Sequence, residues 1–340
     1  MVRRNDEGPA RRGNAADELF SAACKRREKM YLVVTGPDAE EYKKELASKF
    51  PQLSVHAASK QEEISQHAAK VEIFVTLFRI DDDVYKQAVN LKWVQALTTG
   101  VNYILDRPSL RKEVIVTSCR GIHGPQMSEM AFLLMLALNR NFPQVVRNQD
   151  REVWGRWPGK LLYQKNLGVF GVGVIGEEIA KKAKAFGMTV YGFDIVKRDL
   201  ASVDHFFGPE DLPRVARELD YLVFVAPATS DTHKIVGPKL LSSMKPTAFL
   251  INIARGELVD NDALIQALET GKIAGAALDA LVPEPLPKGH PLWKTKNVII
   301  TPHVGGVSDI YMEQVMPIVE ENIRRFLRGE RRNFINYIER

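Results

Sequence analysis

The sequence has little of what marks membrane or disulfide-rich secreted proteins. Its longest uninterrupted apolar run, Met130 to Leu138, is far shorter than the roughly 20 residues that a bilayer-spanning helix needs. Two cysteines occur in 340 residues, Cys24 and Cys119, and two such distant thiols do not make a disulfide framework. We therefore expect no membrane partner and a reducing compartment, the cytoplasm.

The chain also lacks a basic surface of the kind that binds nucleic acid. Its formal net charge is +5, but residues 1–29 contain eight Lys or Arg against five Asp or Glu. Most of the excess charge thus belongs to a short Arg-rich segment, and the rest of the chain is nearly balanced. We find no clustered basic motif and expect no nucleic-acid partner. Residues 1–29 have no apolar signal segment, so we expect a disordered extension or a misplaced start codon, since Met30 directly precedes the first predicted strand.

The length of 340 residues favours two domains, and two alternating series of apolar runs support this. In the first series, strand-like runs are separated by helix-length polar segments, which predicts parallel strands joined by helical crossovers. These predicted strands are Tyr31–Val34, a weaker Leu53–Val55, Glu72–Val75, Trp93–Leu97 and Val114–Thr117. The helix predicted over Ser128–Asn139 is apolar nearly all round, so we expect burial on most sides, in a domain junction or subunit interface.

The second series begins at Leu167 and predicts a doubly wound nucleotide-binding domain. Helices are expected at Glu177–Phe186 and Asp262–Thr270, the latter ending at Gly271, and a final amphipathic helix at Ser308–Leu327. The predicted strands are Leu167–Phe170, Thr189–Phe193, Tyr221–Ala226, Ala248–Ile253, Gly275–Leu278 and Val298–Ile300.

Gly171, Gly173 and Gly176 form a GxGxxG pattern between a predicted strand and a predicted helix. The pattern alone is weak, but in this context it indicates a dinucleotide site. The first glycine permits a tight turn, the second lets a pyrophosphate approach the backbone, and the third allows close packing of helix on strand. A glycine turn without a ligand is the alternative.

Asp194 ends the next predicted strand, where a carboxylate can accept both hydroxyls of an adenosine ribose. The same carboxylate repels a 2′-phosphate, so we expect NAD(H) to be preferred. Lys197 and Arg198 follow closely and could bind that phosphate, which keeps NADP(H) open. The alternative for Asp194 is a solvated or capping residue.

Arg255, Glu284 and His303 each follow a predicted strand of the second series. The carboxyl ends of parallel strands form the edge at which open α/β sheets bind ligands. An arginine can grip a substrate carboxylate and polarise a neighbouring carbonyl, while an imidazolium donates a proton to the developing alkoxide. A carboxylate holds that imidazole protonated. Each residue alone could be a structural hydrogen bonder, but together they fit hydride transfer to a 2-oxo acid.

On these residues the sequence resembles the D-isomer-specific 2-hydroxyacid dehydrogenase family, from about Met30 to Glu330. The likeness is carried by the GVGVIG glycines with Asp194 and by three further segments: INIARGELVD at 251–260, AALDALVPEP at 276–285 and ITPHVGG at 300–306. The resemblance implies an NAD(P)-dependent oxidoreductase that reduces a small 2-oxo acid of the glyoxylate, hydroxypyruvate or pyruvate class to the D-2-hydroxy acid, or runs the reverse reaction.

The resemblance also implies an architecture. A Rossmann-type coenzyme domain, residues 127–303, would be inserted into a discontinuous flavodoxin-like substrate domain, residues 30–126 and 304–340. A cleft would lie between the domains, and a homodimer would form through the coenzyme domains. No metal is implied.

By the same resemblance, Arg255, Glu284 and His303 are the catalytic three, and Asp279 would hold the nicotinamide carboxamide. The ALTTGVNYI segment looks like the family's substrate loop, in which Gly100 and Val101 would offer backbone N–H groups to the substrate carboxylate beside Thr99 and Arg255. The full expected cofactor set is Gly171, Gly173, Val174, Ile175, Gly176, Asp194, Ala226, Pro227, Thr232, Ile253, Ala254, Asp279, His303 and Gly305.

Some segments depart from the family pattern. RGIHGPQMSE at 120–129 matches only the part of the family that includes some glyoxylate and hydroxypyruvate reductases. Glu284 argues against formate dehydrogenases, which have glutamine there. We expect His123 in a hinge or turn, and Trp154 and Trp157 mainly in packing. The main alternative function is an NAD-sensing, corepressor-like binding protein on the same fold, which a turnover assay separates from an enzyme.

Overall fold

The computed structural model describes residues 29–77 and 79–340. The expected disordered extension therefore lies outside the described residues, apart from Lys29. Two compact units are present: unit 1 runs to Cys119 and resumes over Pro317–Arg340, and unit 2 is Arg120–Met316. The chain thus leaves unit 1 once and returns to it once.

Unit 1 contains one parallel sheet with helices between its strands. The strands are β1 (Met30–Thr35), β2 (Leu53–Ala58), β3 (Ile73–Thr76), β4 (Trp93–Ala96) and β5 (Ile115–Thr117). The helices are α1 (Ala39–Lys49), α2 (Gln61–His67), α3 (Asp82–Gln87) and α4 (Asn102–Leu105). The strand order is β2-β1-β3-β4-β5, which is the flavodoxin-like order that the resemblance implied.

The C-terminal segment completes the core of unit 1. The Trp93 ring on β4 is fully buried and stacks on Phe326, with ring centroids 5.3 Å apart, and lies 5.6 Å from the Phe334 ring. Beneath them the buried Asn322 amide donates to Gln95 Oε1 at 2.9 Å. The hydrogen bond satisfies two buried amide groups, and the ring contacts bury apolar surface. Residues 317–340 are therefore part of this core.

Unit 2 contains seven strands and most of the remaining helices. The strands are β6 (Asn166–Phe170), β7 (Thr189–Phe193), β8 (His205–Phe207), β9 (Tyr221–Phe224), β10 (Phe249–Asn252), β11 (Gly275–Leu278) and β12 (Val298–Ile300). The helices are α5 (Gly124–Asn139), α6 (Phe142–Asp150), α7 (Val174–Ala185), α8 (Leu212–Val215), α9 (Pro238–Ser243) and α10 (Asn261–Glu269), and α11 (Tyr311–Leu327) begins here and ends in unit 1.

All strand pairs in the unit 2 sheet are parallel, and the order is β12-β11-β10-β9-β6-β7-β8. The direction of winding reverses between β6 and β9, which is the arrangement of a Rossmann sheet with one additional strand. Both sheet faces carry buried apolar side chains, as parallel sheets require. The predicted doubly wound fold is confirmed.

The structure corrects several sequence-based boundaries. Helix α7 begins at Val174 instead of Glu177, and the final helix begins at Tyr311 instead of Ser308. Strand β8 and helix α6 were not predicted, because β8 (His205–Phe207) lacks a continuous apolar run and α6 has no buried side chain. Gly271 follows helix α10 with a φ of +68°, as its predicted role at the helix end requires.

Candidate active site

Four segments of unit 2 that contain predicted site residues follow parallel strands of one sheet. The glycine turn follows β6, Arg255 follows β10, Asp279 and Glu284 follow β11, and His303 follows β12. Because these strands run in the same direction, their carboxyl ends form one edge of the sheet. The convergence that sequence position predicted is therefore present.

The three glycines of the turn between β6 and α7 have different surroundings. Gly171 has a φ of +97°, a conformation that favours glycine. A Cβ atom on Gly176 would lie 2.0 Å from the carbonyl oxygen of Gly171, so no side chain fits there. A Cβ atom on Gly173 would meet nothing within 4 Å. The backbone at Gly173 is thus open on this side, directly before the first turn of α7, where a helix N-terminus favours an anion.

Asp194 follows β7, as predicted, and its carboxylate contacts the glycine turn. Oδ2 accepts a hydrogen bond from the Val172 N–H at 2.8 Å, and Oδ1 accepts one from the Val196 N–H at 3.3 Å. Arg198 places Nη2 3.8 Å from Oδ2 and is partly exposed. The carboxylate thus supports the turn and retains acceptor capacity for ribose hydroxyls, while a cation stands close to it.

His303 and Glu284 are in direct contact. The Nδ1 atom of His303 lies 2.9 Å from Oε2 of Glu284, and both side chains are partly exposed. The hydrogen bond to Glu284 raises the pKa of His303 above its usual value, although burial and the charge of Arg255 act in the opposite direction. Burial acts to raise the pKa of Glu284, but the His303 hydrogen bond and the 2.7 Å bond from the Leu281 N–H lower it overall.

Arg255 is half-buried in a turn shaped by the side chain of Asn252. The Asn252 Nδ2 group donates to the Arg255 carbonyl at 2.8 Å, and Asn252 Oδ1 accepts from the Ala254 N–H at 3.1 Å. The next residue, Gly256, has no room for a Cβ atom, which would lie 2.1 Å from the Leu281 carbonyl carbon. Close packing between these backbones brings the Arg255 turn against the segment that contains Glu284.

Asp279 is 1% exposed, and its carboxylate faces the segment around His303. Oδ1 accepts from the Thr301 hydroxyl at 2.5 Å and from the Val304 N–H at 3.1 Å. Oδ2 accepts from the Gly305 N–H at 2.9 Å. The nicotinamide contact that the resemblance implied stays a prediction, and the structure adds three protein contacts to the same carboxylate.

The remaining expected cofactor residues lie along the same sheet edge. At the start of α7, Val174 is exposed and Ile175 is half-buried. Ile253 and Ala254, which connect β10 to Arg255 in the chain, are buried. Ala226 and Pro227 follow β9, and the Thr232 hydroxyl donates to the Pro227 carbonyl at 2.8 Å. These positions suit a ligand that lies across the edge.

The predicted substrate loop belongs to unit 1. Thr99 and Gly100 are half-buried, and Val101 immediately precedes helix α4. The Thr98 hydroxyl donates to the Gly100 carbonyl at 2.8 Å, which fixes the turn before this helix. The binding role of the Gly100 and Val101 N–H groups stays a prediction.

Sequence reasoning did not find the partner of His123. This residue directly precedes helix α5, is buried, and places Nε2 3.2 Å from the Tyr311 hydroxyl. Burial, assisted by the positive charge of Arg255, lowers the pKa of His123 to about 4. The imidazole is therefore neutral at physiological pH. The pairing joins residues far apart in the sequence, and no local pattern indicates it.

The two tryptophans after α6 differ in how far their own chain covers them. Trp154 is 87% exposed and does not pack within the single chain, whereas Trp157 is partly covered and donates from Nε1 to the Arg140 carbonyl. Helix α5 buries most of its side chains within the chain, and Leu133 is one that stays exposed.

The described part of the chain offers neither a candidate membrane-spanning helix nor a candidate metal site. None of the helices assigned within 29–77 and 79–340 is long and apolar enough to cross a bilayer. In the same ranges, His, Cys, Asp and Glu side chains form no cluster suited to a metal ion.

Comparison with known proteins places unit 2 in a defined family. Residues 132–305 match the family model described as D-isomer specific 2-hydroxyacid dehydrogenase, NAD binding domain. The chain is 33% identical over 304 residues to D-3-phosphoglycerate dehydrogenase from Methanocaldococcus jannaschii, covering 88% of this chain but 58% of that relative.

Two further relatives are matched over most of their own length. Glyoxylate reductase from Korarchaeum cryptofilum is 33% identical over 263 residues, which cover 74% of this chain and 77% of that protein. The crystal structure of a D-isomer specific 2-hydroxyacid dehydrogenase from Xanthobacter autotrophicus, in complex with NADPH and MES, matches with a TM-score of 0.78 and 28% identity. That match covers 92% of this chain and 98% of the other.

Proposed function

Because the chain belongs to the D-isomer-specific 2-hydroxyacid dehydrogenase family, a family of NAD(P)-dependent oxidoreductases, we propose that it reduces a small 2-oxo acid to the D-2-hydroxy acid, or runs the reverse reaction. The proposed substrates are of the glyoxylate, hydroxypyruvate or pyruvate class. The observation that carries this proposal is the 2.9 Å contact between His303 and Glu284 on the sheet edge that also has Arg255. The glyoxylate reductase relative supports the substrate class.

The proposed roles follow from charge and position. Arg255 binds the substrate carboxylate and polarises the 2-oxo group, since a guanidinium offers parallel donors to a carboxylate. His303 gives a proton to the developing alkoxide, and Glu284 keeps the imidazole protonated. The bound dinucleotide supplies the hydride. Backbone N–H groups of Gly100 and Val101 are proposed as further donors to the substrate carboxylate.

The cofactor is proposed to lie across the glycine turn with its adenosine ribose at Asp194, which favours NAD(H). Arg198, 3.8 Å from that carboxylate, leaves NADP(H) usable, and the NADPH complex of a relative supports this. The open space at Gly173 is the structural feature that fits a dinucleotide pyrophosphate.

The test is steady-state turnover of glyoxylate, hydroxypyruvate and pyruvate with NADH and NADPH. Arg255→Lys is the informative variant, because a lysine cannot reproduce the paired donors of the guanidinium. We expect kcat/KM to fall by about 100-fold or more while the Kd for NADH changes little. Dinucleotide binding without turnover of any of the three acids would instead support an NAD-sensing binding protein.

A homodimer is proposed through unit 2. Several apolar side chains are exposed on helix α6 and on the segment without regular structure after it; they are Phe142, Val145, Val146, Val153, Trp154 and Leu161. Exposed apolar side chains grouped in one stretch of chain are typical of protein interfaces, and a second copy of the chain is the proposed partner. Light scattering coupled to gel filtration should give twice the chain mass, and Val146→Asp should give the monomer mass.

The cytoplasm is the proposed location. Cys119 is buried and unbridged, and burial raises the pKa of its thiol to about 12, so it is a poor nucleophile. Fractionation of cells that produce the protein tests this assignment.

A further inference from the structure

A second histidine of unit 2, His123, forms a polar pair with the first residue of helix α11. Its Nε2 atom lies 3.2 Å from the Tyr311 hydroxyl, and the two rings meet edge to face with their centroids 5.6 Å apart. His123 is buried, whereas Tyr311 is half-buried. The hydrogen bond and the ring contact together fix both side chains, so the pair presents its polar atoms in a defined arrangement.

This pair lies close to the backbone that follows His303. A Cβ atom on Gly306 would lie 3.5 Å from Cδ2 of His123. Gln126, three residues further along the chain than His123, donates from Nε2 to the Gly306 carbonyl at 3.4 Å and to Gln314 Oε1 at 3.2 Å. The start of α5 therefore contacts a backbone three residues beyond the proposed proton donor, and α11 is joined to it through the two glutamines.

The imidazole of this pair is uncharged at neutral pH. Burial lowers the pKa of His123 to about 4, and the positive charge of Arg255 acts in the same direction. Because the influence of a charge falls with distance, this effect means that the guanidinium is near the imidazole. A neutral imidazole has one N–H donor and one acceptor nitrogen, and the phenol hydroxyl of Tyr311 both donates and accepts. The pair is thus polar without supplying a positive charge.

The surroundings of Arg255 and His303 affect which group a bound 2-oxo acid can carry on C3. The carboxylate and the 2-oxo oxygen are proposed to face these two residues, and C3 is bonded to the carbon between them. A second carboxylate on C3 would lose hydration beside a pair without positive charge, which is unfavourable. A hydroxyl on C3 is itself a donor and an acceptor, so it can hydrogen-bond to such a pair.

We propose that His123 and Tyr311 are specificity-determining residues, which favour 2-oxo acids with a hydroxyl on C3 over those with a hydrogen or a second carboxylate there. The contact of these two polar side chains beside the Gly306 backbone carries the proposal. It rests on the proposed function, because the substrate carboxylate has to bind at Arg255. The site thereby gains residues from the starts of two helices, besides those that follow the strands.

The first experiment measures kcat/KM of the parent enzyme with NADH for hydroxypyruvate, pyruvate and oxaloacetate. These three acids differ in the group on C3, which is a hydroxyl, a hydrogen or a carboxylate. We expect the value for hydroxypyruvate to exceed that for pyruvate about tenfold and that for oxaloacetate about 100-fold. A parent that reduces oxaloacetate as well as hydroxypyruvate overturns the proposal.

The second experiment removes a single hydroxyl through Tyr311→Phe, which keeps the ring contact with His123. The kcat/KM for hydroxypyruvate should fall about tenfold, while that for pyruvate stays within about twofold. Tyr163→Phe is the matched control, because Tyr163 is an exposed tyrosine elsewhere in unit 2. It should leave the ratio of the two values unchanged. Equal losses for both acids in Tyr311→Phe would mean a purely structural role and would overturn the proposal.

The third experiment compares two replacements of His123. Glutamine keeps an uncharged donor and acceptor, whereas leucine has a similar size without polar atoms. We expect His123→Gln to keep the ratio of hydroxypyruvate to pyruvate kcat/KM within about threefold and His123→Leu to lower it about tenfold. The ratio is the readout, because a folding defect affects both acids alike. A parental ratio in His123→Leu contradicts the proposal.

A binding measurement decides the question without turnover. Isothermal titration calorimetry gives the Kd of D-glycerate and of D-lactate for the protein saturated with NADH, in which the reduced cofactor cannot accept a hydride. The two acids differ by one C3 hydroxyl, so the parent should bind D-glycerate about tenfold more tightly and Tyr311→Phe should bind both within about twofold. If the parent turns over no 2-oxo acid, the proposed function fails, but these Kd values still test the pair. Equal Kd values in the parent overturn the inference.

Discussion

The glycine turn after β6 and the His303 segment after β12 both contain a residue with positive φ, but different contacts stabilise it in each. Each places a residue with positive φ at the carboxyl end of a parallel strand: Gly171 at +97° and His303 at 54°. The first turn is permitted by missing side chains. The second is held by a buried carboxylate from a neighbouring strand, because it must present an imidazole. A turn built from glycine needs no outside support, whereas a turn that presents an imidazole in the left-handed region is supported from elsewhere in the fold.

The largest expected effect comes from removing the imidazole while keeping the turn. Asparagine tolerates the left-handed region better than most residues, so His303→Asn should keep the segment folded. We expect kcat/KM for 2-oxo acid reduction to fall on the order of 1,000-fold, because general acid catalysis is lost. The Kd for NADH, measured by fluorescence titration, should stay within about twofold. Retention of a tenth of parental turnover would contradict the assigned role.

The glycine turn can be tested by placing one methyl group at two positions. Gly176→Ala puts a Cβ atom against the Gly171 carbonyl, so the free energy of unfolding should fall by about 2 to 3 kcal/mol. Gly173→Ala fills open space, so thermal stability should be retained while the Kd for NADH rises about tenfold, or ~1.4 kcal/mol. Thermal melts and NADH titrations measure both effects. Equal stability losses in the two variants would show that Gly173 also serves packing.

The support of His303 can be weakened electrostatically through Glu284. Its hydrogen bond raises the pKa of His303, so the imidazolium needed for reduction persists until the pH passes that raised value. Glu284→Gln keeps the shape but loses the charge, so the basic limb of kcat/KM for reduction should move about one unit to lower pH. Oxidation of the hydroxy acid needs the neutral imidazole and should move in the same direction, becoming faster at lower pH. Overlaying profiles of parent and variant would remove Glu284 from the catalytic three.

The smallest effect is expected at Asp194. Asp194→Asn keeps an acceptor for the Val172 N–H but removes the negative charge that we propose lies at the adenosine ribose. The ratio of kcat/KM for NADH to that for NADPH should fall about fivefold, equivalent to ~1 kcal/mol for a partly exposed charge interaction. Lys197→Gln serves as the control, because it should lower NADPH use alone. A parent that already prefers NADPH would show that the neighbouring cations outweigh the carboxylate.

The two turns also show how much a single sequence reveals. The GxGxxG pattern is local. Its spacing reflects the tight turn, the expected approach of a ligand to the backbone and the packing of the helix on the strand, so the sequence alone predicted this turn. The contact of Glu284 with His303 was predicted from a rule of topology, since both follow strands of one parallel sheet. The hydrogen bonds that Asp279 accepts from residues 301, 304 and 305 were not predicted. The choice of donor for each buried oxygen depends on how the side chains pack after two neighbouring strands.

The limits of the fold prediction have similar causes. Periodicity found the strands with continuous apolar runs, but β8 (His205–Phe207) is short and mostly half-buried, so it has no such run. Trp154 was interpreted mainly as a packing residue between the domains, yet sequence position does not reveal which apolar residues remain on the surface of one chain. The strand at residues 205–207 and the exposure of Trp154 therefore became known only from the three-dimensional structure.

The interrupted path of the chain through unit 1 has a consequence for biosynthesis. Residues 120–316 leave the ribosome as one continuous stretch, so unit 2 can complete its sheet while translation continues. Unit 1 has to wait, because the Trp93 ring and the Gln95 amide lack their partners Phe326, Phe334 and Asn322 until residues 317–340 are synthesised. A nascent chain stalled before residue 317 would therefore expose part of the first sheet.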